Sequence, residues 1–488
     1  MKKVLLVLLG GMTHLVNAQL TCATATTVTA GTYTAPTITG TYVGTCAPNG
    51  DPATPKALWY KYTATANGEV TVSSDLAANP ASTDTRVSIL SGTCAALACY
   101  GGNDDVSATN YKSSVTFPVA SGTTYYIQWD NRWSTAGFSW SLTFNASSCI
   151  RPNEFSVTSP TAITLNSATL GWGAAIGNPS SYDVQHGLSG FTLGAGTTVN
   201  STTNSAQLNS LPSSQNLSYY IRSNCGATQS AWVGPFSLFL AKTTPYSNSF
   251  DAPNLSDGFS GSGWSRSEDD PTDPTAEVLA HTADGFFYTT TSTTASNSQL
   301  YSRALSLQAG NANNFNFYTR LYALTTAGGT VPMTLKLYYN TTRSLTGATQ
   351  IGTAITVNGL TYVQRSASFT VPTTGIYYLI FSNETAATAA TTATALLLDT
   401  FSLTSVLGTK ETTHNNIFLS ISPNPTSDIL NIKTDSKINA VSVVDMTGRK
   451  IEVKMNGSQV DVRSLSTGTY LITVETKEGT STQKFIKK

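Results

Sequence analysis

Hydrophobic and polar residues alternate in short runs along most of the chain. In the segment FSWSLTF, Phe138, Trp140, Leu142 and Phe144 share one face of an extended strand, and small hydroxyl residues share the other. Gly, Pro, Asn and Ser separate such runs, and helical periodicity is hard to find beyond the N-terminus. The pattern predicts an all-β protein, and its 488 residues are enough for several domains.

The N-terminus departs from this pattern. Two lysines precede the apolar run Val4–Leu9, and Val16–Ala18 has the small residues of a signal-peptidase site. We therefore predict a signal peptide over residues 1–18, with an N-terminal membrane anchor as the alternative. No later stretch approaches the roughly 20 apolar residues that span a bilayer, so we expect no transmembrane segment in the mature chain.

Charge is low, balanced and unevenly distributed. The chain carries 27 basic and 27 acidic residues, and no basic stripe is present. Nucleic acid and anionic membranes are therefore not expected as partners. Most of the mature chain is rich in Thr, Ser, Ala, Gly and Asn, whereas the C-terminal block has the charge of an ordinary globular domain. This composition is typical of extracellular β-domains.

The C-terminal segment 417–488 contains strand-like runs separated by turns, and it carries a set of ordered motifs. They are Pro423, Asn424, Pro425, Asp445, Gly448, Arg449, Lys450, Leu465, Gly468, Tyr470 and the closing run Lys484–Lys488. In this order the motifs resemble the C-terminal sorting domain (type A) of the bacterial type IX secretion system. The resemblance implies passage from the periplasm across the outer membrane, with the type IX machinery as a partner.

The first unit of the mature chain, residues 19–149, carries four characteristic segments: Leu58–Tyr62, Thr83–Thr85, Asn103–Asp105 and Gly122–Tyr126. With these segments it resembles the pre-peptidase C-terminal type of β-sandwich. The resemblance implies a non-catalytic domain, because members of that family follow the catalytic part of many secreted bacterial peptidases and are mostly non-catalytic.

The second unit, residues 150–245, resembles a fibronectin type III domain, with Trp172 as an early core residue and Tyr219 near the expected corner. The sequences of Asp183–Gly187 and Ser223–Gly226 are similar to those of the fibronectin type III domains common in type IX cargo. Such domains tend to have a cysteine near their start, which implies that Cys149 faces Cys225.

The third unit, residues 246–406, opens with Phe250-Asp251 and closes with Leu398–Phe401. With these motifs it resembles the jelly-roll domains of cleaved adhesins, MAM modules and carbohydrate-binding modules. The polar segment 407–416 has no apolar period and is predicted to be a linker. We therefore expect four serial β-sandwich domains.

Six cysteines, an even number in an exported chain, favour disulfide bonds. Proximity suggests the pairs Cys94–Cys99 and Cys22–Cys46, which leaves Cys149–Cys225, the pair that the fibronectin resemblance also implies. Because no paired CxxC or interleaved histidine accompanies them, the alternative of a metal site is disfavoured.

The sequence shows no catalytic constellation, so no catalytic residue is predicted. His186, His281 and His414 lie in three different segments, and the common hydrolase and phosphate-binding motifs do not occur. A paired-carboxylate hydrolase remains an alternative, since such pairs have no fixed motif.

Carboxylate clusters suggest structural calcium, which takes about six to eight oxygen ligands. Asp251 and Asp399 could meet if the first and last strands of the third unit pair. A second candidate in the first unit is Asp84, Asn103, Asp104 and Asp105. The competing interpretation is that both sets are ordinary turn and strand-edge residues that bind no metal.

Trp133 and Trp264 fall in predicted loops, where an exposed ring could stack on a sugar. Most Trp residues in β-sandwiches belong to the core, which is the competing interpretation. Together the observations predict an exported, non-catalytic, adhesin-like protein, secreted or held at the outer cell surface. We expect it to bind an extracellular glycan or matrix protein. The alternatives are a secreted glycosidase or peptidase and a purely structural surface protein.

Overall fold

The computed structural model describes residues 19–488 apart from 49, 53, 252–255, 270–277, 284, 325–328, 390–392 and 407–418. The predicted signal peptide, the predicted linker and His414 lie outside the described residues. The chain divides into two compact units, Met1–Val406 and Leu407–Lys488. Over the described residues the helical pieces are two short 3-10 turns, Cys22–Thr24 and Glu154–Ser156, and no helix has the length and hydropathy of a membrane span. The all-β prediction is confirmed.

The first β-sandwich packs a five-stranded sheet on a four-stranded sheet. Its strands are β1 (Thr26–Thr27), β2 (Gly31–Ala35), β3 (Ala57–Thr63), β4 (Gly68–Ser73), β5 (Arg86–Thr93), β6 (Ala96–Asn103), β7 (Ser114–Val119), β8 (Thr124–Asp130) and β9 (Phe138–Ala146). The sheet orders are β1-β3-β8-β5-β6 and β2-β9-β4-β7. The alternation in β9 buries Phe138, Trp140 and Leu142 between the sheets, while Phe144 packs at the margin of the core.

The second β-sandwich pairs a three-stranded sheet with a four-stranded sheet. Its strands are β10 (Thr158–Thr161), β11 (Ala168–Gly171), β12 (Ser181–Leu188), β13 (Thr197–Ser201), β14 (Ser205–Leu208), β15 (Asn216–Asn224) and β16 (Val233–Phe239). The orders are β10-β11-β14 and β13-β12-β15-β16. Trp172 and Tyr219 are both buried in its core, as expected.

The third β-sandwich is the largest. Its strands are β17 (Lys242–Thr243), β18 (Tyr246–Asn248), β19 (Ser260–Ser262), β20 (Ser265–Glu268), β21 (Gly285–Thr290), β22 (Ser298–Tyr301), β23 (Leu305–Leu307), β24 (Ala312–Ala323), β25 (Met333–Asn340), β26 (Thr349–Val357), β27 (Val363–Phe369), β28 (Gly375–Asn383) and β29 (Thr394–Val406). One sheet runs β17-β23-β28-β22-β19, with β25 on β28 and β26 on β25. The other runs β20-β21-β29-β24-β27, with β18 on β29. The early strand β18 pairs with the last strand, Tyr246 lying opposite Leu403.

The C-terminal unit forms a small β-sandwich of two four-stranded sheets. Its strands are β30 (Leu419–Ser422), β31 (Ile429–Thr434), β32 (Ile438–Asp445), β33 (Lys450–Ile451), β34 (Lys454–Asn456), β35 (Gln459–Asp461), β36 (Gly468–Thr476) and β37 (Gly479–Lys487). The orders are β30-β31-β35-β34 and β33-β32-β36-β37. Alternating residues from both sheets form its apolar core.

The disulfides are Cys22–Cys94, Cys46–Cys99 and Cys149–Cys225. The predicted Cys149–Cys225 bond is confirmed, but the predicted Cys22–Cys46 and Cys94–Cys99 bonds are wrong. Cys94 lies at the turn between β5 and β6, whereas Cys99 lies opposite Leu90 farther down that hairpin. At ~3.3 Å per extended residue this puts them roughly 13 Å apart, beyond the ~7 Å that a disulfide spans. Nearness in sequence was therefore a poor guide to nearness in space.

Candidate functional site

Three carboxylates meet at one end of the β5–β6 hairpin. Asp84 precedes β5 and Asp104 and Asp105 follow β6, and the antiparallel register places the start of one strand beside the end of the other. Their ligand oxygens all lie within 4.8 Å of one another. The structure therefore brings together three of the four residues predicted as the first-unit metal site.

Burial and repulsion disfavour the ionised forms of Asp84 and Asp105. Burial, followed by the charges of Asp104 and Asp105, raises the pKa of Asp84 to about 6. Burial and the charge of Asp104 also raise the pKa of Asp105. Oδ1 of Asp84 is enclosed and has no hydrogen-bond partner among the described residues. A hard cation would relieve this repulsion and use the unpaired oxygen.

Asn103, the fourth predicted ligand, shapes the loop that carries the carboxylates. Its Oδ1 accepts a hydrogen bond from the Ser114 amide at 2.8 Å, and its Nδ2 donates to the carbonyl of Asp105 at 3.1 Å. The side chain is thus engaged with the backbone on both sides. In this structure the Asn103 side chain therefore holds the loop in place.

Trp133 lies directly against the acidic cluster. The residue is 47% exposed, yet its Nε1 donates a 2.8 Å hydrogen bond to Oδ1 of Asp104, which is only 3% exposed. The guanidinium of Arg132 lies over the ring, 4.7 Å from its centroid. The indole is therefore exposed and at the same time held in one orientation.

The loop that carries Trp133 is anchored by a buried ion pair that sequence reasoning missed. Arg86 and Asp130 meet at 2.9 Å with both side chains fully buried, and Oδ1 of Asp130 also accepts from the Arg132 amide at 2.9 Å. Burial raises the pKa of Asp130, while the hydrogen bond and charge of Arg86 act in the opposite direction. No local pattern marks Arg86, because its partner is 44 residues away.

Trp264, the second predicted platform, is a core residue. It is 6% exposed, belongs to the main apolar cluster of the third sandwich, and donates from Nε1 to the Ser298 carbonyl at 3.2 Å. The prediction of a ligand-binding Trp264 is wrong, because its loop folds inward between the two sheets.

Asp251 and Asp399 are close enough for the charge of Asp251 to raise the pKa of Asp399. Asp399 is fully buried, and burial is the main reason that its pKa is raised to about 6. Its Oδ2 accepts from the amides of His281 and Thr282 at 2.6 and 3.1 Å, and Asp251 accepts from the Gly285 amide at 2.8 Å. Asp399 thus holds residues 281–282 ahead of β21, and Asp251 holds the first residue of that strand. A calcium ion at this pair stays a prediction.

The described histidines form no common site. His186 belongs to β12 of the second sandwich. His281 belongs to the third, where its ring stacks on Tyr318 at 3.7 Å and its Nδ1 lies 3.1 Å from Oγ1 of Thr400. Burial lowers the pKa of both imidazoles.

The motif residues of the C-terminal unit hold its turns and its last strand. Asn424, between Pro423 and Pro425, donates to the Lys484 carbonyl at 3.0 Å and accepts from the Ile486 amide at 2.9 Å. This side chain ties the proline-rich turn to β37.

A second turn is built around Asp445. Its Oδ1 accepts from the amides of Thr447 and Arg449 at 3.0 and 3.1 Å, and Gly448 adopts a φ of +84°. Hydrogen bonds, first of all from the Thr447 hydroxyl, lower the pKa of Asp445 to about 2. The glycine is needed because side chains disfavour that backbone region.

Leu465, Gly468 and Tyr470 belong to the turn and strand behind this corner. Leu465 and Tyr470 are buried, Gly468 begins β36, and the Tyr470 ring stacks on Phe485 with its hydroxyl donating to the Ser466 carbonyl at 2.8 Å. The motifs are thus explained by turn geometry and core packing.

Residues 420–488 match the family model described as the secretion system C-terminal sorting domain. The C-terminal unit is a sorting domain. The prediction from the motifs is confirmed, and the chain is type IX cargo, exported to the cell surface or the medium. No curated protein matches the chain.

Several solved β-sandwich structures are similar to part of the chain. The CBM22-1 xylan-binding domain of Paenibacillus barcinonensis Xyn10C is 21% identical, covers 34% of this chain and 98% of its own, and has a TM-score of 0.24. The K1 cleaved adhesin domain of the Porphyromonas gingivalis Lys-gingipain is 13% identical, with 33% and 97% coverage and a TM-score of 0.24. The N-terminal cellulose-binding domain of Cellulomonas fimi β-1,4-glucanase C is 16% identical, with 34% and 98% coverage and a TM-score of 0.23. At such scores these likenesses decide nothing about the site.

Proposed function

We propose that this exported protein is an adhesin-like binding protein and that Trp133 is the contact surface for an extracellular glycan. The observation that carries the proposal is the combination of exposure and fixation at Trp133. The face of the indole opposite the Arg132 guanidinium is a flat apolar surface for a sugar ring, and the bond to Asp104 reduces the entropy lost when that face is covered.

The surroundings of the ring supply the polar groups that a sugar needs. The Arg132 guanidinium lies over one face of the ring, and the exposed carboxylate of Asp105 lies within 4.8 Å of the Asp104 carboxylate that holds the indole. Both groups can hydrogen-bond to hydroxyls. An apolar face bordered by a few fixed polar groups is the usual composition of a small-ligand site.

We further propose that Asp84, Asp104 and Asp105 hold a calcium ion. Three carboxylates fit a hard cation, and the remaining ligands would be backbone carbonyls and water. Bound there, the ion would offset two of the three negative charges of the cluster and fix Asp104, which in turn positions Trp133.

A glycan array probed with the mature chain, with and without calcium, tests this function. We expect retention of the wild-type protein on a defined set of glycans and a loss of retention for Trp133→Ala. Tyr111→Ala is the matched control, because Tyr111 is an exposed aromatic residue of the same sandwich at 48% exposure. Turnover of a retained glycan would instead favour the hydrolase alternative, and retention by Trp133→Ala equal to wild type would refute the role of the ring.

A further inference from the structure

We propose that the second and third β-sandwiches act as one rigid body locked by the buried side chain of Arg303. The chain passes from one sandwich to the other without a linker residue. The Ala241 amide donates to the Thr164 carbonyl in the second sandwich at 2.9 Å. The next amide, of Lys242, donates to the Ala304 carbonyl in the third, also at 2.9 Å, so two successive residues already belong to different sandwiches.

Arg303 is fully buried at this junction and is bound from both sides. On the second sandwich it donates to the carbonyls of Gln215 and Leu240 and to Oδ1 of Asn216. On the third it forms an ion pair with Asp257 at 2.5 Å. Neither sandwich alone supplies the partners of the guanidinium.

Asp257 completes a closed polar network around the arginine. Its Oδ1 accepts from Nδ2 of Asn216 at 2.8 Å, and its Oδ2 accepts from the hydroxyl of Tyr246 at 2.8 Å. A charged group out of contact with water requires such partners at fixed positions, so the network admits one relative orientation of the sandwiches.

Apolar contacts surround this network. Ala241, Ala304 and Tyr378 form a buried cluster against which Ile163 and Leu165 of the second sandwich pack. Phe239 lies so close to Gly258 that a Cβ there would meet its side chain at 2.9 Å. Tilting one sandwich against the other would therefore expose apolar surface and also break the arginine network.

The consequence is mechanical. The two sandwiches form a spacer without a hinge, which unfolds as a single cooperative unit and transmits a pulling force without bending at residues 240–243. A stiff spacer of this kind suits a protein that holds a binding site away from its point of attachment.

Pulsed hydrogen exchange with mass spectrometry on the full mature chain in increasing urea tests the proposal, with β15 and β24 as reporters. In the wild-type protein both strands should lose protection at the same urea concentration. In Arg303→Met the two transitions should separate, while Arg365→Met, a change in the third sandwich outside the junction, should leave them coincident.

Asn216→Leu is the second variant and carries the test if Arg303→Met does not fold, because it removes partners of both Arg303 and Asp257. Separate transitions in the wild-type protein would overturn the proposal. Coincident transitions in the folded variants would overturn it as well.

Discussion

The side chains of Trp133 and Asp104 are joined by a 2.8 Å hydrogen bond although 29 residues separate them in the chain. The bond connects the exposed ring to a buried carboxylate of the acidic cluster. The candidate sugar-binding Trp133 and the candidate metal-binding carboxylates therefore form one site. A substitution in the acidic cluster should alter the position of the Trp133 ring.

Calcium should stabilise the first sandwich through this cluster. A ligand that binds only the folded state at a hundredfold excess over its Kd stabilises by ~2.7 kcal/mol. We expect the melting temperature to rise with calcium and the rise to disappear in Asp84→Asn. Asp75→Asn, which alters an exposed carboxylate of the same sandwich, should keep the rise. Calorimetry with calcium and with chelator measures both.

The calcium effect should also depend on pH. Protons compete with a cation for Asp84, whose pKa is about 6 without a cation, so the stabilisation should weaken below that pH. Equal melting temperatures with calcium and chelator at pH 7.5 would exclude a stabilising site at the cluster.

Asp399 should make the third sandwich less stable at neutral than at acidic pH. Its pKa is about 6 in the folded state against ~3.9 when unfolded, so the folded state binds the proton more tightly. The stabilising effect of protonation is complete below pH ~4 and is lost as the pH rises through 6, a change of roughly 2–3 kcal/mol.

Asp399→Asn should remove this pH dependence. Urea unfolding at pH 4.5, 6 and 7.5 should show the variant gaining stability relative to wild type as the pH rises. The titration of Asp84 occurs in both proteins and cancels from the difference. Parallel curves would show that Asp399 does not titrate in this range.

The disulfides Cys22–Cys94 and Cys149–Cys225 should contribute similarly to stability. They close separations of 72 and 76 residues, and the unfolded-state constraint depends only on the logarithm of loop length. Replacing either pair by serine should cost roughly 4 kcal/mol on denaturant unfolding. Non-reducing peptide mapping should first recover the three linkages, and a Cys94–Cys99 peptide there would contradict the structure.

The features that could be predicted from the sequence are those that depend on residues close together in the chain. The alternation in β9 and the turn at Asp445 depend on neighbouring residues, so strands and sorting motifs could be identified directly. Cys149–Cys225 could be predicted because the fibronectin resemblance already implied a topology.

Residues whose roles depend on distant partners could not be predicted. Cys94 and Cys99 bond to Cys22 and Cys46 because the hairpin and the N-terminal segments converge in space. Trp133 and Trp264 both lie in polar segments, and only the course of each loop decides that the first is exposed and the second buried. Burial of Asp399 under backbone amides is likewise a product of tertiary contacts.

Deleting residues 417–488 should retain the protein in the periplasm of a host with the type IX system. The sorting domain is a compact unit by itself, so its removal should leave the folding of the other unit intact. Immunoblotting of periplasmic and surface fractions checks this, with protease resistance as the control for folding. Normal surface display of the truncated chain would contradict the assignment.

The most direct measurement of the central claim is the affinity of the mature protein for an array-selected glycan, compared among wild type, Trp133→Ala and Tyr111→Ala. Trp133→Ala should weaken binding roughly tenfold to a hundredfold, which corresponds to about 1.4–2.8 kcal/mol. The variant should remain folded, with a lower melting temperature, because the buried Asp104 carboxylate loses its hydrogen bond from the indole. Tyr111→Ala should bind like wild type. Equal affinities for all three proteins would contradict the account.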